Sequence, residues 1–187
     1  KNETVLIITA AGRVGLSAVQ ISKNMGAKVI NFKRKKKKKL LVSKYNPDLV
    51  VNYQEENLTE VIEKNFGPKP IDVFYDKVGG EAYENGIRLL RSEGRALIVG
   101  FASGNIPKQI LSYLLVKNIS VMGVFMISFE NQNRDYLKER MDFIFEEYIK
   151  GNIDPIYKTI KFNEIVKYLD LIGSRKSLVF DKTVYAS

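Results

Sequence analysis

The stretch TVLIITAAGRVGLSAVQ, Thr4 to Gln20, constrains the fold more tightly than any other part of the chain. Its first part, Thr4 to Thr9, is a β-branched apolar run too short for a helix and continuous enough for a strand buried on both faces. A helix follows: Val14, Ala18, Ile21 and Met25 recur at helical spacing, and Gly26 stands as a C-cap. Between the two lie Ala10, Gly12 and Gly15, the spacing of the dinucleotide fingerprint in its strand-turn-helix setting, with Ala in the first glycine position. There Gly12 lets the backbone approach a pyrophosphate and Gly15 lets the helix pack close to the strand. The helix N-terminus offers unpaired N–H groups to the phosphates. The plainer alternative is a tight turn that holds no ligand.

The rest of the chain continues the alternation. Further strands are expected at Lys28–Phe32, Leu49–Tyr53, Ile71–Asp76, Arg95–Gly100 and Ile119–Val124, with helices at Lys37–Tyr45, Leu58–Asn65, Glu81–Leu90 and Lys108–Val116. Each parallel return needs a crossover, and right-handed crossovers put helices on both faces. The expected class is therefore α/β, a Rossmann-type doubly wound parallel six-stranded sheet. After a long helix around Arg134 to Lys150, GNIDP (Gly151 to Pro155) breaks the rhythm and marks a boundary, giving a domain over 1–152 and a C-terminal segment over 153–187. That segment should hold a strand at Ile156–Phe162, a short helix at Asn163–Leu171 and an apolar run at Ser177–Phe180.

Composition removes several chemistries. The 187 residues contain no Cys and no His, so thiol nucleophiles, imidazole bases, disulfides and the usual zinc ligands are all missing. Absence of Cys fits the cytoplasm or the mitochondrial matrix, and an oxidising space equally well. The apolar stretch ILSYLLVKNISVMGVFMISF, Ile110 to Phe129, is interrupted by Lys117 and Asn118, falls short of a membrane span and is expected to be buried core. Net charge is +9, and removing the seven consecutive bases Lys33 to Lys39 from that +9 leaves +2. The basic character thus belongs to one short segment, which argues against a general nucleic-acid face.

The second strand bears on cofactor choice. A site for NAD puts an acid about 20 residues after the fingerprint to hold the ribose 2′-OH. Here that strand ends Asn31, Phe32, Lys33, Arg34, with no acid and with bases where a 2′-phosphate would arrive, so NADP(H) is the expected cofactor. Lys36 to Lys39 would open the following helix, where the macrodipole already disfavours positive charge and like charges three or four apart cost ~0.2–0.5 kcal/mol per pair. A bound anion would relieve both. A solvated surface remains the alternative for the other lysines of the tract.

At this point the chain resembles a known family: the zinc-independent quinone oxidoreductases, the zeta-crystallin-like branch of the medium-chain dehydrogenase/reductases, in their coenzyme-binding domain. Four stretches in the family's order carry the likeness: AAGRVGLSAVQISKNMGAKVI, NY at 52–53, YDKVGGEAYENGIRLLRSEGRALIVGFASGNIP, and LLVKNISVMGVF. The departures are Arg13, where relatives commonly have a second Gly, and the lysine tract, where they carry a mixed Ser and Glu segment containing a Lys. The resemblance implies that Gly12, Arg13, Val14 and Gly15 surround the pyrophosphate and that Lys38 meets the 2′-phosphate. Tyr53 would lie beside that phosphate or the adenosine. Gly100, Phe101, Ala102 and Ser103 would lie near the nicotinamide, with Val78 and Gly79 lining the neighbouring strand end. Each has a structural alternative: Tyr53 as a strand-end aromatic, Phe101 as core, the glycines as turns.

The resemblance further implies reduction of a quinone or an α,β-unsaturated carbonyl by hydride transfer, without zinc. It implies a homodimer paired through the last sheet strand, around Ile119 to Ile127. In the family a separate β-rich, GroES-like substrate domain closes the active site, and the segment from 153 onward would complete it. The chain is accordingly expected to be a piece of a longer or processed protein. No catalytic residue can be named, and the chain alone is not expected to be catalytically complete. The alternative is a non-catalytic nucleotide-binding structural or regulatory subunit of a larger complex.

Overall fold

A computed structural model describes residues 2–8, 13–33, 45–52, 55–155, 157–173 and 182–185. A six-stranded sheet in the order β3-β2-β1-β4-β5-β6 forms its centre, with every pairing parallel. The strands are β1 (Thr4–Ile8), β2 (Lys28–Lys33), β3 (Leu49–Asn52), β4 (Ile71–Asp76), β5 (Leu90–Ile98) and β6 (Ser120–Gly123). The doubly wound class expected from the alternation is what forms.

Strand β1 is buried along its whole length, and its side chains alternate between two cores. Val5 and Ile7 join Leu16 and Val19 of α1 (Arg13–Asn24), with Val29 and Val73. Leu6 and Ile8 join Ile30, Phe32 and Phe74, together with Leu58 and Ile62 of α2 (Leu58–Phe66) and Ala82, Tyr83 and Ile87 of α3 (Gly80–Ile87). Each fully buried aliphatic side chain contributes ~1.5–3 kcal/mol. The helix leaving β1 therefore covers one face and the helix leaving β4 covers the other. A crevice results between the carboxyl ends of these neighbouring strands, the topological switch point of such sheets.

Three expectations need correction. Strand β5 starts at Leu90 rather than Arg95, because its pairing with β4 shifts register between Ile71 and Val73, and Glu93 takes a left-handed φ of 66° to accommodate the irregularity. Helix α4 spans Leu111–Lys117, three residues later than expected at its start. Ile110 before it is extended, and Asn118 ends it at a left-handed φ of 51°. The third concerns Ile110 to Phe129, which is not buried core. Ile119 enters the core and Tyr113 and Leu114 lie against it, while Leu111, Leu115, Val116, Met122, Phe125 and Ile127 are exposed. The cause is position: among the described residues β6 is an edge strand with one neighbour, and all four of its residues are exposed. The end of the stretch also turns into helix α5 (Met126–Gln132), where continued apolar character hid the change of period.

Helix α6 (Arg134–Ile149) follows, and 152–154 then returns to α1. The Asn24 Nδ2 group donates to the Asn152 carbonyl at 2.7 Å, the Asp154 N–H donates to Gln20 Oε1 at 2.7 Å, and the Tyr45 hydroxyl donates to the Asp154 carbonyl at 2.7 Å. Beyond lie β7 (Tyr157–Ile160), a 3-10 turn (Phe162–Glu164), α7 (Ile165–Gly173) and β8 (Lys182–Tyr185). Strands β7 and β8 pair in parallel as a separate two-stranded sheet, so the tail supplies a partner strand to itself. The expected helix over 37–44 and the apolar run at Ser177–Phe180 lie outside the described residues. Among the described residues no helix is long and apolar enough to cross a membrane.

Ion pairs pin the amino ends of the strands. Asp72 accepts the Thr4 N–H at 2.7 Å and pairs with Arg91. Burial pushes its carboxyl up, but the Thr4 N–H, the Arg91 hydrogen bond and charge, and the Arg95 charge outweigh burial and hold it below the usual value. A depressed folded value stabilises the fold above the unfolded carboxyl value, near pH 4, and is lost as pH falls through the folded one. The Asp72→Asn variant should therefore be less stable at neutral pH and lose less stability between about pH 4 and pH 2 than the parent, as read from urea midpoints.

Gly86 of α3 packs on Phe74, and a Cβ there would run into the fully buried phenyl ring. Alanine would gain ~1 kcal/mol of helix propensity and lose ~1–3 kcal/mol to overpacking. Gly86→Ala should lower stability by about 1 kcal/mol, and Phe74→Leu in the same chain should return part of that loss, since it vacates the colliding atoms.

Candidate nucleotide-binding site

The carboxyl ends of β1, β2, β4 and β5 define the site. Helix α1 begins there with no acidic residue in its first turn, as an anion at its N-terminus requires. Val14 in that turn is half exposed, while Gly15 is buried. Arg13 is the first residue of α1. Lys33 is the last residue of β2 and lies in register with Asn52, so the end of the basic strand stands beside the residue preceding Tyr53. Gly12, Arg34, Lys38 and Tyr53 lie outside the described residues.

The other predicted residues come together on two adjoining loops. Beyond β4 and β5 the chains stay hydrogen-bonded. The Val99 N–H donates to the Asp76 carbonyl at 2.7 Å, Ala102 N–H to the Lys77 carbonyl at 3.1 Å, and Ser103 N–H to the Val78 carbonyl at 3.0 Å. The Ser103 hydroxyl also donates to the Val78 carbonyl at 2.7 Å and accepts the Asn105 N–H at 3.1 Å. Gly80 N–H closes the set on the Asn105 carbonyl at 3.0 Å. Gly79 has a φ of 71°, and a Cβ there would stand 2.7 Å from the Asn105 carbonyl oxygen and 3.1 Å from the Phe101 ring, so both backbone and packing demand glycine.

Gly100 differs. Among the described residues, a Cβ there would meet only the Lys77 carbonyl oxygen, at 3.6 Å, an ordinary contact. The described residues leave that space open at the strand ends, where a ligand can approach the backbone. Phe101 is 40% exposed, so it is not core, and Ala102 and Ser103 are exposed beside it.

Asp76 was absent from the sequence expectations. It is fully buried at the end of β4, and its carboxylate accepts the Val78 N–H at 2.7 Å and the Gly79 N–H at 3.0 Å. Burial pushes its carboxyl up and the two N–H groups only partly offset this. Nearby Tyr83 donates its hydroxyl to Gln109 at 2.7 Å. Its phenol is pushed up to about 12, first by burial and then by the Asp76 and Tyr113 charges. The available signal was an acid ending an apolar strand and followed by Lys-Val-Gly-Gly, the pattern of a side-chain-bonded turn. A further cavity of about 480 Å³ lies at the sheet edge, lined by Met122, Val124, Phe125, Met126, Phe129 and Tyr136 among others.

Comparison with known proteins agrees with this geometry. The profile of the zinc-binding dehydrogenase family matches residues 14–146. Quinone oxidoreductase-like protein 2 of Rattus norvegicus is 32% identical over 167 residues, 87% of this chain and 48% of the relative. (+)-Pulegone reductase of Mentha piperita is 33% identical over 135 residues, 69% of this chain and 40% of the relative. The Escherichia coli quinone oxidoreductase complexed with NADPH superposes with a TM-score of 0.82 at 26% identity, covering 100% of this chain and 57% of that one. The chain thus spans about half the length of the curated relatives it matches. Zinc in the family's name finds no Cys or His ligand in these 187 residues, and among the described residues no group of three or more metal-ligating side chains converges. The chain belongs to the zinc-binding dehydrogenase family and, within it, to the quinone oxidoreductase branch of the medium-chain dehydrogenase/reductases, of which it holds the nucleotide-binding part.

Proposed function

We propose that this chain is the NADP(H)-binding part of an oxidoreductase that reduces a quinone or an α,β-unsaturated carbonyl by hydride transfer. The observation that carries the proposal is the acid-free N-terminus of α1 at the crevice between β1 and β4, with β2, whose last residue is Lys33, beside it. In this assignment Gly12, Arg13, Val14 and Gly15 hold the pyrophosphate through backbone N–H groups and the helix dipole. Lys33, Arg34 and Lys38 hold the 2′-phosphate, and Tyr53 borders the adenosine. Val78, Gly79, Gly100, Phe101, Ala102 and Ser103 line the nicotinamide end, where the open space at Gly100 suits a flat ring.

The bound nicotinamide supplies the hydride, and the protein supplies position and exclusion of water. The NADPH complex of the Escherichia coli relative and the enone substrate named for the Mentha relative support this assignment. A β-rich substrate domain would hold the acceptor, with residues 153–187 crossing into it. The second reading, a non-catalytic subunit, is favoured by the outer edge of β6, open among the described residues, and the apolar side chains around it. That edge also suits pairing with a second copy, which would continue the sheet and cover Val121 and Met122. The two readings separate on turnover: NADPH consumption with a simple quinone by the whole polypeptide supports the enzyme, and binding without turnover supports the subunit.

Replacing Lys33, Arg34 and Lys38 together with Ala should weaken NADPH binding at least about tenfold, ~1.4 kcal/mol, and NADH binding by less than about twofold, in fluorescence titrations. Equal losses would reduce the tract to a nonspecific field. The parent should sediment as a dimer at micromolar concentration, and Met122→Lys should shift it to monomer. A monomeric parent refutes pairing through β6.

A further inference from the structure

We propose that Asp76 is the positioning residue of the nicotinamide end, fixing both loops of the site through one buried carboxylate; the proposal rests on the NADP(H) assignment above. Asp76 acts on the site through Val78 and Gly79, whose N–H groups its carboxylate accepts. It is fully buried, and among the described residues its carboxylate is met by two backbone N–H groups and by no cation. Oδ1 takes the Val78 N–H at 2.7 Å and the Gly79 N–H at 3.0 Å, while Oδ2 stands 3.1 Å from the same Gly79 nitrogen. A buried carboxylate bonded mainly to backbone N–H groups is costly to keep, so its retention calls for a task that an apolar residue cannot perform.

The geometry of the two loops shows that task. By gathering the N–H groups of 78 and 79, the carboxylate folds the first loop so that Gly79 and Gly80 adopt φ values of 71° and 57°. The carbonyls of Lys77 and Val78 are then left facing the second loop, where they accept from Ala102 N–H, Ser103 N–H and the Ser103 hydroxyl. The ties that seat Ala102 and Ser103 on the first loop therefore end on residues within two positions of Asp76. A carboxylate is acceptor-only, so it cannot be satisfied by rotating a donor toward these N–H groups. Either oxygen presents lone pairs to these N–H groups whichever way the group turns, and Ala102 and Ser103, tied to the first loop, hold the loop that begins at Gly100 and Phe101.

The test compares NADPH with 2′,5′-ADP, which has the adenosine half and its 2′-phosphate but no nicotinamide. In the full chain, Asp76→Ala should weaken NADPH about tenfold more than 2′,5′-ADP, because the loops serve only the nicotinamide half. Asp76→Asn, whose carbonyl oxygen can still accept both N–H groups, should restore most of that difference. An unchanged ratio of the two affinities in Asp76→Ala, or an Asn variant as impaired as Ala, overturns the positioning role. A parent chain that binds neither nucleotide overturns the cofactor assignment, and the positioning role with it. Should Asp76→Ala fail to fold, amide exchange in the parent decides: the Gly79, Ala102 and Ser103 N–H groups should share one protection factor within about threefold, as one cooperative unit. Independent protection of the two loops refutes the proposal.

Discussion

Burial of β1 on both faces is the constraint on which the rest of the structure depends. A strand with no solvent face needs a hydrogen-bonded neighbour on each side and a cover above and below. Here β2 and β4 supply the first, and α1 and the α2–α3 layer supply the second. The covers reach β1 from opposite sides, and the two helices cannot meet over its carboxyl end. The crevice of the site is what two-sided burial of a single strand leaves behind.

Local pattern made much of this legible. Thr4 to Ile8, Ile71 to Asp76 and the α1 periodicity state their own structure, because their neighbours in sequence suffice to decide it. Other parts were illegible for physical reasons. Arg91 to Glu93 read as a loop, since an irregular strand start with a left-handed Glu93 has no alternation to display. Ile110 to Phe129 read as interior, since apolar character records an attraction to other apolar surface without saying which surface. In the site, Val78, Gly79 and Phe101 were placed by resemblance, whereas Asp76 was passed over. An acid at a strand end reads as a solvated cap, and its complete burial depends on loops distant in sequence.

Two kinds of carboxylate mark the two ends of the sheet. At the amino end Asp48 and Asp72 pair with Lys23 and Arg91 and are held below the usual carboxyl range despite partial burial. At the carboxyl end Asp76 is raised by burial and, among the described residues, bonded to backbone N–H groups alone. The first kind secures the fold, and the second sacrifices ionic stability to shape a loop. That division matches the usual placement of strain and unpaired charge near functional sites.

The strand order also governs the history of the chain during synthesis. Strand β1 is made before the other five strands of its sheet and finds β2 within a few dozen residues, but its other edge stays open until β4, near residue 71, has left the ribosome. For that interval an apolar strand destined for the centre of the sheet has an unpaired row of N–H and C=O groups, the template for association with another chain. Because loop-closure entropy grows only with the logarithm of length, this wait adds little to the equilibrium cost of the fold. Its effect is kinetic: the strand buried along its whole length in the final sheet must wait for β4 with one edge open.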